Sequence, residues 1–130
     1  MQIYYFTRTG RSKAVAEKLA ETYGTEARPI KDGKNWNGPL GYIRAGAAAL
    51  SKKESPAAYE PLKEGEEAAV VFPVWAGKLP PAVRFFVRRA GRQRLIAVPT
   101  SLGSELKDRE GFQKVIDLVG KDLTPPEKLL

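Results

Sequence analysis

The sequence contains no cysteine and no histidine among its 130 residues. The first absence excludes disulfides, thiolate nucleophiles and cysteine-ligated iron–sulfur or zinc centres. The second excludes imidazole general bases, Ser-His triads and most zinc or copper sites. No apolar run approaches the roughly 20 residues that a membrane helix needs. Met1 leads straight into Gln2-Ile3-Tyr4-Tyr5-Phe6, with no basic segment ahead of it. No signal peptide is visible, so the expectation is a soluble, cytoplasmic chain with no membrane association. Residues 68–104 lack Asp and Glu altogether, yet carry Lys78, Arg84, Arg88, Arg89, Arg92 and Arg94.

What is present points to one folded domain over residues 1–130. Apolar residues make up 42% of the chain and charged residues 28%, which is too apolar for a disordered chain. Lys and Arg number 22 against 15 Asp and Glu, a net charge of +7. Without His, Cys or a clustered acid pair, chemistry on this chain calls for a cofactor.

Strands and helices alternate along the sequence. Ile3 to Phe6 is β-branched or aromatic and reads as a strand. After the polar turn Thr7–Ser12, the residues Val15, Ala16, Leu19, Ala20 and Tyr23 form a helical stripe that ends at Gly24. Glu26 to Ile30 is a short strand candidate, and Lys31 to Asn37 is a loop. Leu40, Ile43, Ala47 and Leu50 return to helical spacing, with Pro39 in the first turn. Ser51 to Glu67 reads as loop. Ala68 to Phe72 is the continuous apolar run of a strand buried on both faces. Val83, Phe86, Val87 and Ala90 mark a third helix, and Leu95 to Val98 a further strand. Phe112, Val115, Ile116 and Val119 predict a fourth helix. The expected fold is an α/β sandwich of three layers, with a parallel sheet between helices. Ligands in such sheets sit beyond the carboxyl ends of the strands.

Three loops occupy those ends. Thr7-Arg8-Thr9-Gly10-Arg11-Ser12 opens a helix, where free N–H groups and a partial positive charge favour an anion. Its hydroxyls, glycine and two arginines describe a phosphate cradle, or else an ordinary capped turn. It matches neither G-x-x-x-x-G-K-[ST] nor G-x-G-x-x-G. Pro73-Val74-Trp75-Ala76-Gly77-Lys78-Leu79 places Trp75 after a buried strand, either to face an aromatic ring or to cap the core. Thr100-Ser101-Leu102-Gly103-Ser104 is small and polar, and lets a planar ligand approach the backbone.

In their order and spacing these loops resemble those of the flavodoxin-like superfamily, in particular its short FMN-binding members. Thr7–Ser12 is similar to the T-x-T-G-x-[TS] phosphate loop. Pro73 to Pro81 resembles the aromatic-bearing loop after the third strand, and Thr100–Ser104 the third flavin loop. The resemblance covers about residues 1–119. It implies noncovalent FMN, with the phosphate on Thr7, Thr9, Gly10, Arg11 and Ser12. It places the ring between the Pro73, Val74, Trp75, Ala76 and Gly77 loop and the Thr100, Ser101, Leu102, Gly103 and Ser104 loop. Trp75 would stack, and a peptide within Trp75–Gly77 would meet flavin N5. No side chain is expected to act as acid or base.

The chain also departs from that pattern. Carrier flavodoxins are usually acidic. The third loop has Leu102 where many carriers have an aromatic. The sheet is expected in the order 2-1-3-4, with a fifth strand missing or a stub at Leu129-Leu130, and strand four open or covered by another chain, a homodimer included. These features imply an FMN-dependent oxidoreductase using NAD(P)H or a protein donor. The alternatives are a one-electron carrier and a non-catalytic binding module. The basic helix suggests either a solvated face or a docking surface for an acidic redox partner at Arg84, Arg88 and Arg89. Nucleic acid is not favoured, because no recognition motif accompanies the charge.

Overall fold

A computed structural model describes residues 1–51 and 53–130. Four strands form the body of one parallel sheet: β1 (Gln2–Tyr5), β2 (Ala27–Pro29), β3 (Ala68–Pro73) and β4 (Leu95–Ser101). Two further pieces, β5 (Lys114–Val115) and β6 (Leu118–Val119), both pair with β4. The order is β2-β1-β3-β4-β5, the doubly wound order of the flavodoxin-like fold. Strand order reverses between β1 and β3.

Three helices connect the strands: α1 (Arg11–Thr22), α2 (Gly38–Leu50) and α3 (Pro81–Ala90). β3 is buried along Ala68–Phe72 because both sheet faces are covered. Ile3, Ala69, Val71, Ile96 and Val98 point to one face and pack on Val15, Ala16 and Leu19 of α1. Tyr4, Val70, Phe72 and Ala97 point to the other, against Ala45, Val83, Phe86 and Val87 of α2 and α3. Each fully buried Val or Phe there stabilises the fold by about 1.5–3 kcal/mol.

The structure corrects the sequence reading at its C-terminal end. Phe112–Val119 is not a helix. Gly111 takes φ 87°, which stops a helix at that point, and a Cβ there would meet the Arg92 side chain at 3.1 Å. The β-branched Val115 and Ile116 then favour extended backbone. The segment fills the fifth-strand position as two short pieces, so the fifth strand is a stub formed at 114–119. Pro99 accounts for the gap between them. Ile116 N donates to Ala97 O at 2.8 Å, and the next rung of a parallel ladder needs the N–H of residue 99. Pro99 has none. Leu129-Leu130 forms no strand. Leu129 is instead buried in the α1-side core, and its N–H donates to the Tyr23 hydroxyl at 2.9 Å.

Helix α2 forms where its spacing predicts it. Leu40, Ile43, Ala47 and Leu50 share a face, as their spacing requires, but that face points to solvent. The buried residues are Gly41, Ala45 and Ala49. Close approach dictates this choice. A Cβ on Gly41 would lie 2.1 Å from the Trp36 carbonyl oxygen, so only a hydrogen fits between helix and loop.

The expected docking face on α3 is largely engaged within the molecule. Arg84 donates to Ala49 O at 2.7 Å, capping the C-terminal end of α2. Arg88 pairs with Glu54, and the Arg89 guanidinium lies 5.2 Å from the Phe85 ring centre. Arg92 forms a two-armed pair with Asp108, at 2.9 and 2.6 Å. Arg94 donates to the carbonyls of Lys63, Glu66 and Ala90.

Candidate functional site

The loops after β1, β3 and β4 converge on one cavity of about 450 Å³, beyond the carboxyl ends of the strands. It lies where strand order reverses, the usual ligand position in an open α/β sheet. Of the residues singled out from sequence, Thr7, Arg8, Thr9, Arg11, Ser12, Pro73, Val74, Trp75, Ala76, Thr100, Ser101, Leu102 and Ser104 line it. Gly10, Gly77 and Gly103 shape the same loops without lining the cavity. No Asp or Glu side chain is among the lining residues.

The first loop closes on itself through Gly10 N, which donates to the Thr7 Oγ1 at 2.9 Å. Gly10 is the N-cap of α1, where no side chain caps the helix and no acid sits in the first turn. The first-turn N–H groups are therefore left for an anion. Ser12 is 2% exposed, and its hydroxyl lies 2.9 Å from the Thr100 hydroxyl. This buried contact ties the first loop to the third. Arg11 reaches across to the Gly120 carbonyl. Arg8 donates through Nη2 to Gly38 O at 3.0 Å, while its buried Nε has no partner among the described residues.

The second loop is a two-residue hairpin. Trp75 and Lys78 exchange backbone hydrogen bonds of 3.0 and 2.9 Å around Ala76 and Gly77. Both central residues have positive φ, 52° and 78°. These are the angles of a type I′ turn, which glycine adopts freely and alanine does not. Trp75 itself is 6% exposed. Its ring centre lies 5.5 Å from that of Phe6 and 5.0 Å from that of Trp36. The indole is thus mostly committed to the core, which leaves little of its face for stacking. Trp36, which sequence places in a loop, is buried beside it and donates from Nε1 to Asp32 at 2.9 Å.

One wall of the site was not visible in the loops. Tyr42, Ile43, Ala45 and Gly46 of α2 complete the lining. Tyr42 is 70% exposed, with the Arg8 guanidinium 5.4 Å from its ring centre. The only sequence signal was compositional: α2 is apolar nearly all round, with Arg44 as its sole charge. Such a helix holds more apolar side chains than one buried face can take. Leu102, 71% exposed, stands in the third loop as another wall of the cavity.

No protein-family model matches the sequence, and no curated protein is significantly similar to it. Solved structures do share its fold. One is a protein assigned as a flavoprotein from Bacteroides uniformis, with TM-score 0.70 and 21% identity over 93% of this chain and 90% of that one. Another is a flavoprotein from Lactobacillus acidophilus in complex with FMN, with TM-score 0.67 and 16% identity over 91% and 90%. A third, also assigned as a flavoprotein, comes from Bacteroides eggerthii, with TM-score 0.67 and 18% identity over 91% and 86%. At these identities the likeness establishes the fold, and the flavodoxin-like class of architecture follows from it.

Proposed function

We propose that this chain binds FMN in the cavity and acts as an oxidoreductase, taking electrons from a reduced nicotinamide or a protein donor. The observation that carries the reading is the convergence of three loops and α2 on one acid-free cavity at the strand-order reversal. The FMN complex of the Lactobacillus acidophilus relative in fold supports it. The residues present fit the group. The volume falls within the roughly 300–1,000 Å³ usual for cofactor sites. The uncapped start of α1, the unpartnered Arg8 Nε and the exposed Thr9 suit a phosphate dianion. Tyr42, Ile43, Val74 and Leu102 supply apolar walls for a planar ring.

Bound FMN would supply the electron-accepting chemistry, and the protein's part is binding and tuning. Arg8, Arg11, Thr9 and the first-turn N–H groups of α1 would hold the phosphate. The Ser12–Thr100 contact keeps the first and third loops in register, so a ligand spanning both would meet one joined unit. The Ala76 N–H donates to no group within the hairpin and lies at the cavity wall, where it would be free to donate to a ligand. Leu102 leaves part of the mouth open, which supports access by a nicotinamide over a sealed carrier site.

The test is a pair of titrations of ligand-free protein with FMN and with riboflavin. A hydrogen bond to a charged group contributes about 1.5–3 kcal/mol, so two such bonds to the phosphate predict FMN binding tighter by roughly a hundredfold or more. Thr9→Ala should narrow that gap. Equal affinity for the two ligands would remove the phosphate cradle. Reduction of the FMN-loaded protein by NADH or NADPH, followed by absorbance, then separates reductase from carrier.

A further inference from the structure

Charge is segregated around the cavity far beyond its lining. Residues 1–16, 33–53 and 68–104, which include all three loops, α2 and α3, contain thirteen Lys and Arg and no Asp or Glu. The other residues hold nine basic side chains and all fifteen acidic ones. Within the acid-free segments, the fate of the charges differs from side to side. On α3 and just after it, Arg88 and Arg92 face carboxylates. On the α2 side, Arg8, Arg11 and Arg44 donate only to the neutral carbonyls of Gly38, Gly120 and Asn35. Their positive charge is therefore not cancelled by any ion pair among the described residues.

Those charges flank an apolar surface. Leu40 is 75% exposed, Ile43 66% and Leu50 59%, and Ala47 lies exposed between them. Ile43 and Tyr42 carry this stripe to the cavity, where Leu102 stands exposed as another wall. Exposed large apolar side chains gathered on one face mark an interaction surface. A second copy of the chain is a poor occupant. Two-fold pairing through α2 would bring the Arg44 and Lys34 charges of one copy towards those of the other.

We propose that the α2 face and the cavity mouth together dock a small acidic redox protein that presents an apolar patch of its own. With Arg8 and Arg11 turned to the FMN phosphate, its carboxylates would meet Arg44 and Lys34, which stand beside α2 outside the cavity lining and in no ion pair among the described residues, and its apolar centre would cover Leu40 and Ile43. The redox character of the partner rests on the FMN reading above; the surface chemistry does not. The assignment moves the docking face from α3, where sequence alone suggested it, to α2.

The experiment uses FMN-saturated protein, with an acidic plant-type [2Fe–2S] ferredoxin as the probe and basic cytochrome c as the charge control. Binding is followed by calorimetry, and the FMN affinity of each variant is measured in parallel. The ferredoxin should bind, and its affinity should fall about tenfold or more as salt rises into the range where exposed charges are screened. Leu40→Glu and Arg44→Glu should each weaken it at least about fivefold, since electrostatic complementarity and a central apolar contact are both removed. Neither residue lines the cavity, so FMN affinity should stay within about twofold. Arg89→Glu, on α3, should leave ferredoxin binding unchanged. The proposal is overturned if ferredoxin does not bind, if salt has no effect, if cytochrome c binds equally well, or if Arg89→Glu weakens binding as much as Leu40→Glu does. It is also overturned if the protein alone sediments as a dimer that Leu40→Glu dissolves. Leu40-dependent binding to phosphatidylserine vesicles would overturn it in favour of a lipid surface. If FMN fails to bind while the ferredoxin pattern holds, the FMN reading falls and the docking face stands.

Discussion

Helices α2 and α3 carry similar apolar spacing and lie on the same face of the sheet, yet they use it in opposite ways. In α3, Val83, Phe86 and Val87 are buried while Arg88 and Arg89 face outward. In α2, the large apolar residues face outward, and Gly41, Ala45 and Ala49 are buried. Periodicity defines a stripe. It does not decide which side of the helix wins the core. In α3 the space beside β3 and β4 takes large side chains, and Phe86 meets Tyr4 and Tyr59 at ring-centre distances of 4.7 and 4.9 Å. In α2 the neighbour is the Trp36 backbone, and only a helix face without bulk can approach it. The consequence is functional, because the stripe excluded from the core becomes the wall and rim of the candidate site.

The contrast can be broken by matched substitutions. Phe86→Ala should cost about 3–5 kcal/mol, as truncation of a buried aromatic does, read from the midpoint of denaturant unfolding. Leu40→Ser on α2 should change stability by no more than about 0.5 kcal/mol, since the side chain is exposed. Similar losses at the two positions would mean that Leu40 is packed and α2 lies the other way round.

Two glycines within α2 sharpen the point. Gly41→Ala places a methyl 2.1 Å from a backbone oxygen and should destabilise by about 1–3 kcal/mol, as overpacking does. Gly46→Ala meets nothing within 4 Å and should stabilise by about 0.5–1 kcal/mol through helix propensity. Thermal unfolding of both variants should show shifts of opposite sign; equal shifts would contradict the close approach at Trp36.

A smaller effect is expected at the hairpin. Ala76→Gly should stabilise by up to about 1 kcal/mol, because it relieves a left-handed conformation that costs an alanine about 1–2 kcal/mol, offset by the greater freedom of the unfolded glycine. A clear loss of stability would show that the Ala76 methyl makes contacts worth more than the strain. The smallest effect is pH-dependent. Burial raises the Tyr4 phenol above its ordinary range, and its hydroxyl donates to Glu60 O at 2.6 Å. A folded-state value above the unfolded one means that the stabilisation is complete below the unfolded value and is lost as pH rises through the folded one. Stability should therefore fall at strongly alkaline pH, and Tyr4→Phe should abolish that part of the decline.

Much of this architecture was legible in the sequence. The doubly buried run Ala68–Phe72 and the polar turn Thr7–Ser12 announce themselves through composition. Their positions at strand ends then locate the site. The rest depended on contacts distant in sequence. The spacing of Phe112, Val115, Ile116 and Val119 is helical, but it lacks the information that Gly111 turns against Arg92 and that β4 offers an open edge. Tyr42 and Ile43 were hidden for a related reason. Their exposure is set by Gly41 against Trp36, which lies in a loop as expected but is buried there against Trp75.

The central claim is that three loops and the first half of α2 form one FMN site. Amide chemical-shift mapping during FMN addition tests it most directly. The largest changes should fall at residues 7–13, 42–46, 74–77 and 100–104. A second depression of about 510 Å³, lined by Ala57, Tyr59, Leu62, Phe85 and Arg89 among others, is the internal comparison and should stay silent. Changes concentrated there, with the first loop unmoved, would contradict the account.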